Sequence, residues 1–494
     1  MTSSLKRQAA KGVGWSLIDR TLTKTLGFGV FLIMTSLLPP RAFGLVAMAM
    51  VVLAFVWPFI TQGTGPAIIQ RSALQPEHSD TAFWISLAAG LIATVLVGTL
   101  AKPIAATLGE PALGPILTVL SLRLVIESLA TTHAALLRRS LSFRALAARS
   151  LVAEISGGVV GLAMVFGGFG VWSLVGQTLA RQAASTISLW VLARWRPAFR
   201  FSMRGAQEML RYGYSVIGSN LIAAVRGRID QLLIGALLGT SALGFYVVAL
   251  RFVDELGNLI MGSIGVVAFP TFSRLQAERQ KLVQAFLKAT EYSAFLAFPA
   301  FVGLGVVVGE FIPTVLGPQW TPSVPVTRAL IPMGMVGGLS VFNRSMIAAK
   351  GKPSRNVALG LLDLCVGMIA ILTTVPLGLV AMSLAYSLST LAGYSAGLWV
   401  VRRMLRFEIR DYVKSSGLAL LAASAMGVLV AVLGGILRTA GPDALRLVLR
   451  ISAGGAFYVG LVRILRGQLL RELIDLSTVL LPVQDNQDVG SNRQ

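Results

Sequence analysis

The chain of 494 residues has little charge and almost no thiol or imidazole chemistry. Only 13% of its residues are charged, against roughly 25% in a soluble domain. In contrast, 55% are hydrophobic and the mean hydropathy is +0.75. A water-soluble core could not bury so much apolar surface. The composition therefore indicates a polytopic membrane protein.

The scarcity of reactive side chains excludes several classes of site. Cys365 is the single cysteine, so no disulfide can form within the chain and a thiolate metal centre is excluded. Of the two histidines, His133 lies in an apolar run and is expected to pack there. Gly351-Lys352 lacks the upstream glycine and the Ser or Thr of a phosphate-binding loop. No metalloprotease helix or Ser/His/Asp set is present, so we expect no catalytic residue, cofactor or metal.

Apolar runs of roughly 20 residues, bounded by charge, Pro or Gly, predict an all-α polytopic fold with about 14 transmembrane helices. The predicted segments are 14–38, 42–69, 81–101, 113–136, 147–166, 169–191, 212–238, 242–269, 289–308, 326–349, 356–375, 377–401, 413–437 and 444–465. Residues 1–200 would form an N-terminal lobe of six helices and 201–403 a C-terminal lobe of six. Residues 404–494 would supply two further helices and an amphipathic, disordered tail.

The basic residues alternate between connections, as the positive-inside rule requires. One set of connections contains clusters such as Arg194–Arg211, whereas the other contains little beyond Arg41, Lys102 and Arg438. A missed helix would invert this alternation, so the pattern supports the helix count and predicts that both termini are cytoplasmic. The net charge of +22 is therefore interpreted as a sign of membrane topology, and no nucleic-acid partner is expected.

Two stretches of the chain are related. The segments Leu37–Gly44 and Leu237–Gly244, which are 200 positions apart, have a similar residue pattern. A tight turn is predicted at Gly239 in the second copy. Each copy would form the first helix pair of a lobe and enter the membrane in the same direction. Such a parallel repeat is typical of transporters, and the copies should face each other across a cleft.

Ionisable residues lie within the predicted helices. They are costly in hydrocarbon and therefore face a partner or a water-filled cavity. The basic ones are Arg20, Lys24, Arg123, Arg181, Arg226, Arg228, Arg251 and Arg344, and the acids considered for ion coupling are Asp19, Glu127, Asp230, Asp254 and Glu255. The basic excess predicts a cavity for an anionic passenger, because paired guanidinium hydrogen bonds match pyrophosphate oxygens.

A structural interpretation of the same charges remains open. The pairs Arg123–Glu127, Arg226–Asp230 and Arg251–Glu255 each have the i,i+4 spacing that brings opposite charges together on one helix face. Such pairs could neutralise each other without contacting a passenger.

Short segments in both halves of the chain carry a family resemblance. They are LLRRSLSFRALA (136–147), GGVVG (157–161), GFGVWSLV (168–175), DQLLIG (230–235), LGFY (243–246), FPTFSRL (269–275) and LGPQW (316–320). In this order they resemble the Wzx-type polysaccharide flippases of the multidrug/oligosaccharidyl-lipid/polysaccharide superfamily. Ile229 departs from that pattern, because it replaces the family's usual Asn.

The resemblance implies two six-helix lobes around a central cleft, followed by two extra helices. It implies translocation of undecaprenyl-pyrophosphate-linked oligosaccharide repeat units across the bacterial inner membrane by alternating access. Membrane lipid, a polysaccharide polymerase and a chain-length regulator would be its partners. An ion-coupled multidrug exporter of the same superfamily is the alternative. A membrane glycosyltransferase or polymerase is a third, which the short connections disfavour.

Overall fold

The computed structural model describes residues 21–61, 64–71, 73–437 and 442–480, and these fold into α-helices joined by short connections. The helices are α1 (Thr21–Leu37), α2 (Pro40–Thr61), α3 (Gly65–Gln70), α4 (Pro76–Thr107), α5 (Leu113–Arg139), α6 (Phe143–Phe166), α7 (Val171–Leu192), α8 (Met203–Arg226), α9 (Ile229–Arg274), α10 (Arg279–Leu316), α11 (Ser323–Ala349), α12 (Pro353–Thr374), α13 (Leu379–Leu405), α14 (Ile409–Ile436) and α15 (Asp443–Leu480).

These helices confirm the predicted all-α membrane fold. Within the described ranges, eleven helices are long and apolar enough to cross a bilayer, and α1 is apolar over a shorter length. A helix is the natural spanning element, because it satisfies its own backbone hydrogen bonds in hydrocarbon. The predicted lobe boundaries at residues 200 and 403 remain a prediction.

The seventh predicted segment is a broken helix. The segment 212–238 is divided into α8, which ends at Arg226, and the start of α9 at Ile229. Gly239 then turns the chain inside α9 with φ 84°, a left-handed conformation that favours glycine. This confirms the predicted turn, and α9 therefore contains the end of one span and the whole of the next.

The repeated glycines lie at the crossing of α2 and α9, which pack extensively against each other. A Cβ atom on Gly44 would lie 1.7 Å from the Thr240 carbonyl oxygen, and one on Gly244 would lie 1.9 Å from the Pro40 carbonyl oxygen. The two copies therefore face each other as the repeat predicts. Only glycine permits this symmetric backbone approach.

One face of the molecule, here called the Arg41 face, is closed by contacts between the two helix groups α1–α7 and α8–α13. Glu110 accepts hydrogen bonds from Arg41 Nη2 at 3.0 Å and from Thr240 Oγ1 at 2.5 Å. Trp320 Nε1 donates to the Thr35 carbonyl oxygen at 2.7 Å. A buried apolar cluster continues inward from these bonds.

Contacts on the opposite face join connections of the predicted basic set. Arg139 Nη1 donates to the Ile68 carbonyl oxygen at 2.9 Å. Lys350 Nζ donates to the Gln276 carbonyl oxygen at 2.9 Å. The alternation read from the sequence therefore corresponds to two physical faces of the helix bundle.

The last two helices are anchored to α10. Arg450 is 4% exposed; it forms an ion pair with Glu310 and donates from Nη2 to the Val430 carbonyl oxygen at 3.0 Å. Tyr458 Oη donates to the Phe295 carbonyl oxygen at 2.8 Å. These contacts hold α14 and α15 against the C-terminal helix group.

The helix α15 bends near its end. Arg466 has non-helical angles (φ −150°, ψ 54°) and lies 3.4 Å from Glu291 of α10. This bend lies between the fourteenth predicted span, 444–465, and the amphipathic segment that follows. The extreme C-terminus, 481–494, lies outside the described residues.

Candidate functional site

A cavity of about 490 Å³, here called the interlobe cavity, lies between α1, α2, α7 and α9. Its apolar wall comes largely from α1 and α2. Its charged lining residues are Arg181, Arg228, Arg251, Asp254 and Glu255. The structure thus brings together five of the residues predicted from charge alone.

Arg181 reaches the cavity from α7 and is held there by a carboxylate of α6. Its Nη2 atom lies 2.7 Å from Glu154 Oε1, and Glu154 is 6% exposed. A Cβ on Gly157 would lie 2.8 Å from the Arg181 Cβ atom, so the glycine allows α6 and α7 to approach closely here. Sequence reasoning did not include Glu154 in the site, because its partner is on a different helix.

Arg251 and Lys24 share one carboxylate across the two helix groups. Glu255 lies 3.5 Å from Arg251 Nε and 3.5 Å from Lys24 Nζ. The Arg251 guanidinium also lies over the Phe31 ring, 4.9 Å from its centroid. The predicted Arg251–Glu255 pair is confirmed. The ion pair between Glu255 and Lys24 of α1 adds a contact that must break if the two helix groups separate at the cavity.

The remaining charges leave the cavity weakly cationic. Arg228 Nη1 donates to Gln231 Oε1 at 3.0 Å, whereas Asp254 lines the wall without an ion pair to another described residue. Among the described residues that line the cavity or pair with its lining, Lys24, Arg181, Arg228 and Arg251 exceed Glu154, Asp254 and Glu255 by one positive charge. The sign agrees with the prediction of a basic cavity, although the excess is small.

Arg123 lies behind the cavity wall. Its Nε atom is 3.7 Å from Glu127 Oε2, which confirms the predicted i,i+4 pair. Its Nη1 atom contacts the sulfur of Met50, a lining residue, at 3.5 Å. Glu127 itself lines a smaller cavity of about 260 Å³ within the N-terminal helix group.

The predicted Arg226–Asp230 pair is wrong. The break between α8 and α9 separates the two side chains, so the i,i+4 rule does not apply. Asp230 is 3% exposed and accepts a hydrogen bond from Tyr246 Oη at 2.7 Å. Arg226 Nη1 instead lies 3.8 Å from Asp363 of α12.

The structure does not bring all the predicted basic residues to one cavity. Arg226 and Arg344 line a separate cavity inside the C-terminal helix group, where both contact Asp363. Neither arginine is among the lining residues of the interlobe cavity. Asp19 and Arg20 lie outside the described residues.

His133 has the packing role expected from its apolar surroundings. It is buried, and its ring stacks on Trp190 with a centroid distance of 4.7 Å. Trp195 lies edge-on at 5.0 Å.

Comparison with protein families identifies the class of protein to which this chain belongs. The family model described as "Polysaccharide biosynthesis protein" matches residues 33–325, more than half of the chain. The chain belongs to this polysaccharide biosynthesis family.

Curated relatives cover much of the chain at low identity. The succinoglycan biosynthesis transport protein ExoT of Rhizobium meliloti (strain 1021) is 27% identical over 96% of this chain and 97% of its own length. The teichuronic acid biosynthesis protein TuaB of Bacillus subtilis (strain 168) is 25% identical, covering 86% of this chain and 89% of its own. The lipopolysaccharide biosynthesis protein WzxC of Escherichia coli (strain K12) is 25% identical over 71% of both chains.

Solved structures match the fold. The lipid II flippase MurJ, in an inward closed conformation, superposes with a TM-score of 0.74 at 14% identity over 93% of this chain and 100% of its own. An inward-facing multidrug resistance transporter of the MATE family superposes with a TM-score of 0.62 at 17% identity, over 77% and 94%. The chain therefore shares the fold of these two transporters.

Proposed function

We propose that this protein translocates lipid-linked oligosaccharide repeat units across the bacterial inner membrane for polysaccharide synthesis. The observation that carries the proposal is the interlobe cavity, with its three arginines, in a chain of the polysaccharide biosynthesis family. The named roles of the relatives in succinoglycan, teichuronic acid and lipopolysaccharide biosynthesis support the same class of passenger.

Arg181, Arg228 and Arg251 would hold the pyrophosphate of an undecaprenyl-pyrophosphate carrier. Planar guanidinium groups form paired, charge-assisted hydrogen bonds with phosphate oxygens. The cavity of about 490 Å³ is in the range of small-molecule sites, so it fits a headgroup rather than a whole oligosaccharide. The sugars therefore require the helix groups to separate, while the polyprenyl tail stays in lipid.

Alternating access supplies that separation. The Arg41 face is closed in this conformation by Glu110 and Trp320. In the second state this face opens, and the helix groups approach each other on the opposite side. We assign the Arg41 face to the outside and both termini to the cytoplasm, because the basic connections lie on the other face.

The proposal has further parts, which extend the predictions made from the sequence. Residues 1–200 and 201–403 act as the two moving lobes, with 404–494 attached to the second. A polysaccharide polymerase and a chain-length regulator receive the delivered repeat units. The chain itself carries out no catalysis and needs no cofactor.

Deletion of the gene and analysis of lipid-linked sugars tests this function. We expect undecaprenyl-pyrophosphate-linked oligosaccharide to accumulate in the inner leaflet, with loss of surface polysaccharide and rescue by the intact gene. An unchanged pool of lipid-linked sugars would contradict the proposal. Drug sensitivity with intact surface polysaccharide would select the ion-coupled exporter, and sugar transfer by the purified protein would select the glycosyltransferase.

A further inference from the structure

A second cavity, here called the C-lobe cavity, lies inside the C-terminal helix group. It has a volume of about 290 Å³ and is enclosed by the α8–α9 break, α11, α12 and α13. It shares no lining residue with the interlobe cavity. The broken helix separates the two sites, because Arg226 lines the C-lobe cavity and Arg228 lines the interlobe cavity.

The C-lobe cavity has an uncompensated positive charge. Arg344 Nη2 and Arg226 Nη1 lie 3.2 Å and 3.8 Å from the same oxygen of Asp363. These three are the charged side chains among its lining residues, so within the described part of the chain one guanidinium charge has no carboxylate to balance it. A Cβ on Gly393 would lie 1.5 Å from Asp363 Oδ1, so glycine makes room for this arrangement.

Asn343 supplies an independent sign of a binding site. It is 2% exposed and lines the C-lobe cavity, yet neither its amide oxygen nor its amide nitrogen has a hydrogen-bond partner among the described residues. Buried side-chain amides are normally satisfied. An occupant that both donates and accepts hydrogen bonds would satisfy this one.

The hydroxyl groups of the wall favour a hydroxylated occupant. Ser340, Ser389 and Thr390 each donate their proton to a backbone carbonyl of their own helix, at 3.0, 2.6 and 2.7 Å. Their lone pairs remain available to accept hydrogen bonds. A sugar ring has the matching donors, whereas a bare inorganic anion has none.

We propose that the C-lobe cavity binds a carboxylate-bearing sugar, its carboxylate on Arg344 and Arg226 and its hydroxyls on Asn343 and the wall hydroxyls. A volume of about 290 Å³ is near the lower end of small-molecule sites, which suits one monosaccharide. This inference extends the proposed function, and it rests on that function for the source of the sugar. The sugar comes either from the lipid-linked oligosaccharide or from free solute, and both present the same chemistry.

Calorimetric titration of the full chain in lipid nanodiscs tests the site. The probes are sodium glucuronate, glucose and sodium chloride, at constant ionic strength. We expect saturable glucuronate binding that is at least tenfold tighter than glucose binding and is not displaced by chloride. Equal binding of glucose, or displacement by chloride at equal concentration, would overturn the proposal.

Three variants assign the binding to this cavity. R344Q removes one guanidinium, and N343D keeps the shape but cancels the net charge, so each should weaken glucuronate binding at least tenfold. R355Q changes an exposed arginine of α12 and should bind as the unmodified protein does. Melting temperatures verify folding, and unchanged affinity in folded R344Q and N343D would refute the assignment.

A second titration, with a short-chain polyprenyl-pyrophosphoryl glucuronide, distinguishes the sources. Binding of this lipid that depends on Arg344, without binding of free glucuronate, identifies the passenger as the source. Binding of neither compound overturns the inference. Accumulation of lipid-linked sugars in the deletion strain is measured separately, so the proposed function can stand or fall without this site.

Discussion

At the scale of single residues, local spacing explains some charges and tertiary contacts explain the others. Arg251 is paired with Glu255 one helical turn away, as its spacing predicts. Its contact with the Phe31 ring and the bridge from Glu255 to Lys24 depend on packing between α1 and α9. The pair therefore neutralises charge and also lines the proposed passenger site.

Arg251→Ala should impair polysaccharide export. A hydrogen bond to a charged group contributes roughly 1.5–3 kcal/mol, so we expect about a tenfold loss or more. The measurement is surface polysaccharide in a complemented deletion strain, normalised to the amount of protein in the membrane. Arg355→Ala, at an exposed position of α12, is the matched control. Normal export by the Arg251→Ala variant would contradict the assignment of Arg251 to the passenger site.

Glu110 should make closure of the Arg41 face sensitive to acid. Burial alone would raise its pKa, but hydrogen bonds from Thr240 and Arg41, with the Arg41 charge, outweigh burial and lower the pKa below the ordinary 4.5. The charged form therefore stabilises the closed face above about pH 4.5, and this stabilisation is lost as the pH falls through the lowered pKa.

Thermal unfolding of Glu110→Gln measures this contribution. At pH about 7 the variant should be less stable than the unmodified protein by about 1 kcal/mol, and the difference should shrink as the pH falls below about 4.5 and through the lowered pKa. Glu77→Gln, which changes an exposed carboxylate at the start of α4, is the control. A difference that persists unchanged in acid would contradict the assigned role.

At the scale of helices, the crossing of α2 and α9 sets how closely the two helix groups approach. The repeated Gly44 and Gly244 lie where a side chain would strike the backbone of the other helix. The closed Arg41 face depends on this approach, because Trp320 reaches the Thr35 carbonyl oxygen only when the groups are together.

Gly244→Ala should hold the Arg41 face open. The added Cβ would lie 1.9 Å from the Pro40 carbonyl oxygen, and such overpacking costs roughly 1–3 kcal/mol. The probe is maleimide labelling of Thr35→Cys in a Cys365→Ala background, since Thr35 is fully buried in the closed face. Labelling should rise with Gly244→Ala and stay low with Gly435→Ala, where a Cβ meets nothing within 4 Å. Equal labelling in both would contradict this role of the crossing.

At the scale of the whole molecule, α14 and α15 behave as part of the C-terminal helix group. Arg450 is buried between α10 and α14, where it contacts Glu310 and the Val430 carbonyl oxygen. Tyr458, also on α15, makes a second contact with α10 by donating a hydrogen bond to the Phe295 carbonyl oxygen. Any motion of α10 should therefore carry both terminal helices with it.

Removing one partner of the Arg450–Glu310 pair should lower the stability of the fold more than replacing both partners by uncharged residues. Glu310→Gln leaves the buried guanidinium of Arg450 without its carboxylate. We expect the free energy of unfolding to fall by roughly 2 kcal/mol. This is less than for a fully buried pair, because the Glu310 side chain is 41% exposed. The double variant Arg450→Met with Glu310→Gln removes both charges and should be close to the unmodified protein. Thermal unfolding in detergent measures both. A double variant less stable than the single one would contradict this account.

Sequence alone predicted the all-α membrane fold, the alternation of basic connections and the repeat, but not the break between α8 and α9. Bilayer thickness imposes the length of each apolar run, and a helix satisfies its own backbone, so these features require no knowledge of distant contacts. The pairs Arg123–Glu127 and Arg251–Glu255 were predictable for the same reason, because their spacing lies within one continuous helix.

Tertiary structure decided which charges share a cavity. The break after Arg226 directs that residue to Asp363 and Arg228 to the interlobe cavity, although the two are only two positions apart. The ion-pair partner of Arg181 is Glu154, which lies on α6. These outcomes depend on which distant helix packs against each face, and spacing within one helix does not identify that neighbour.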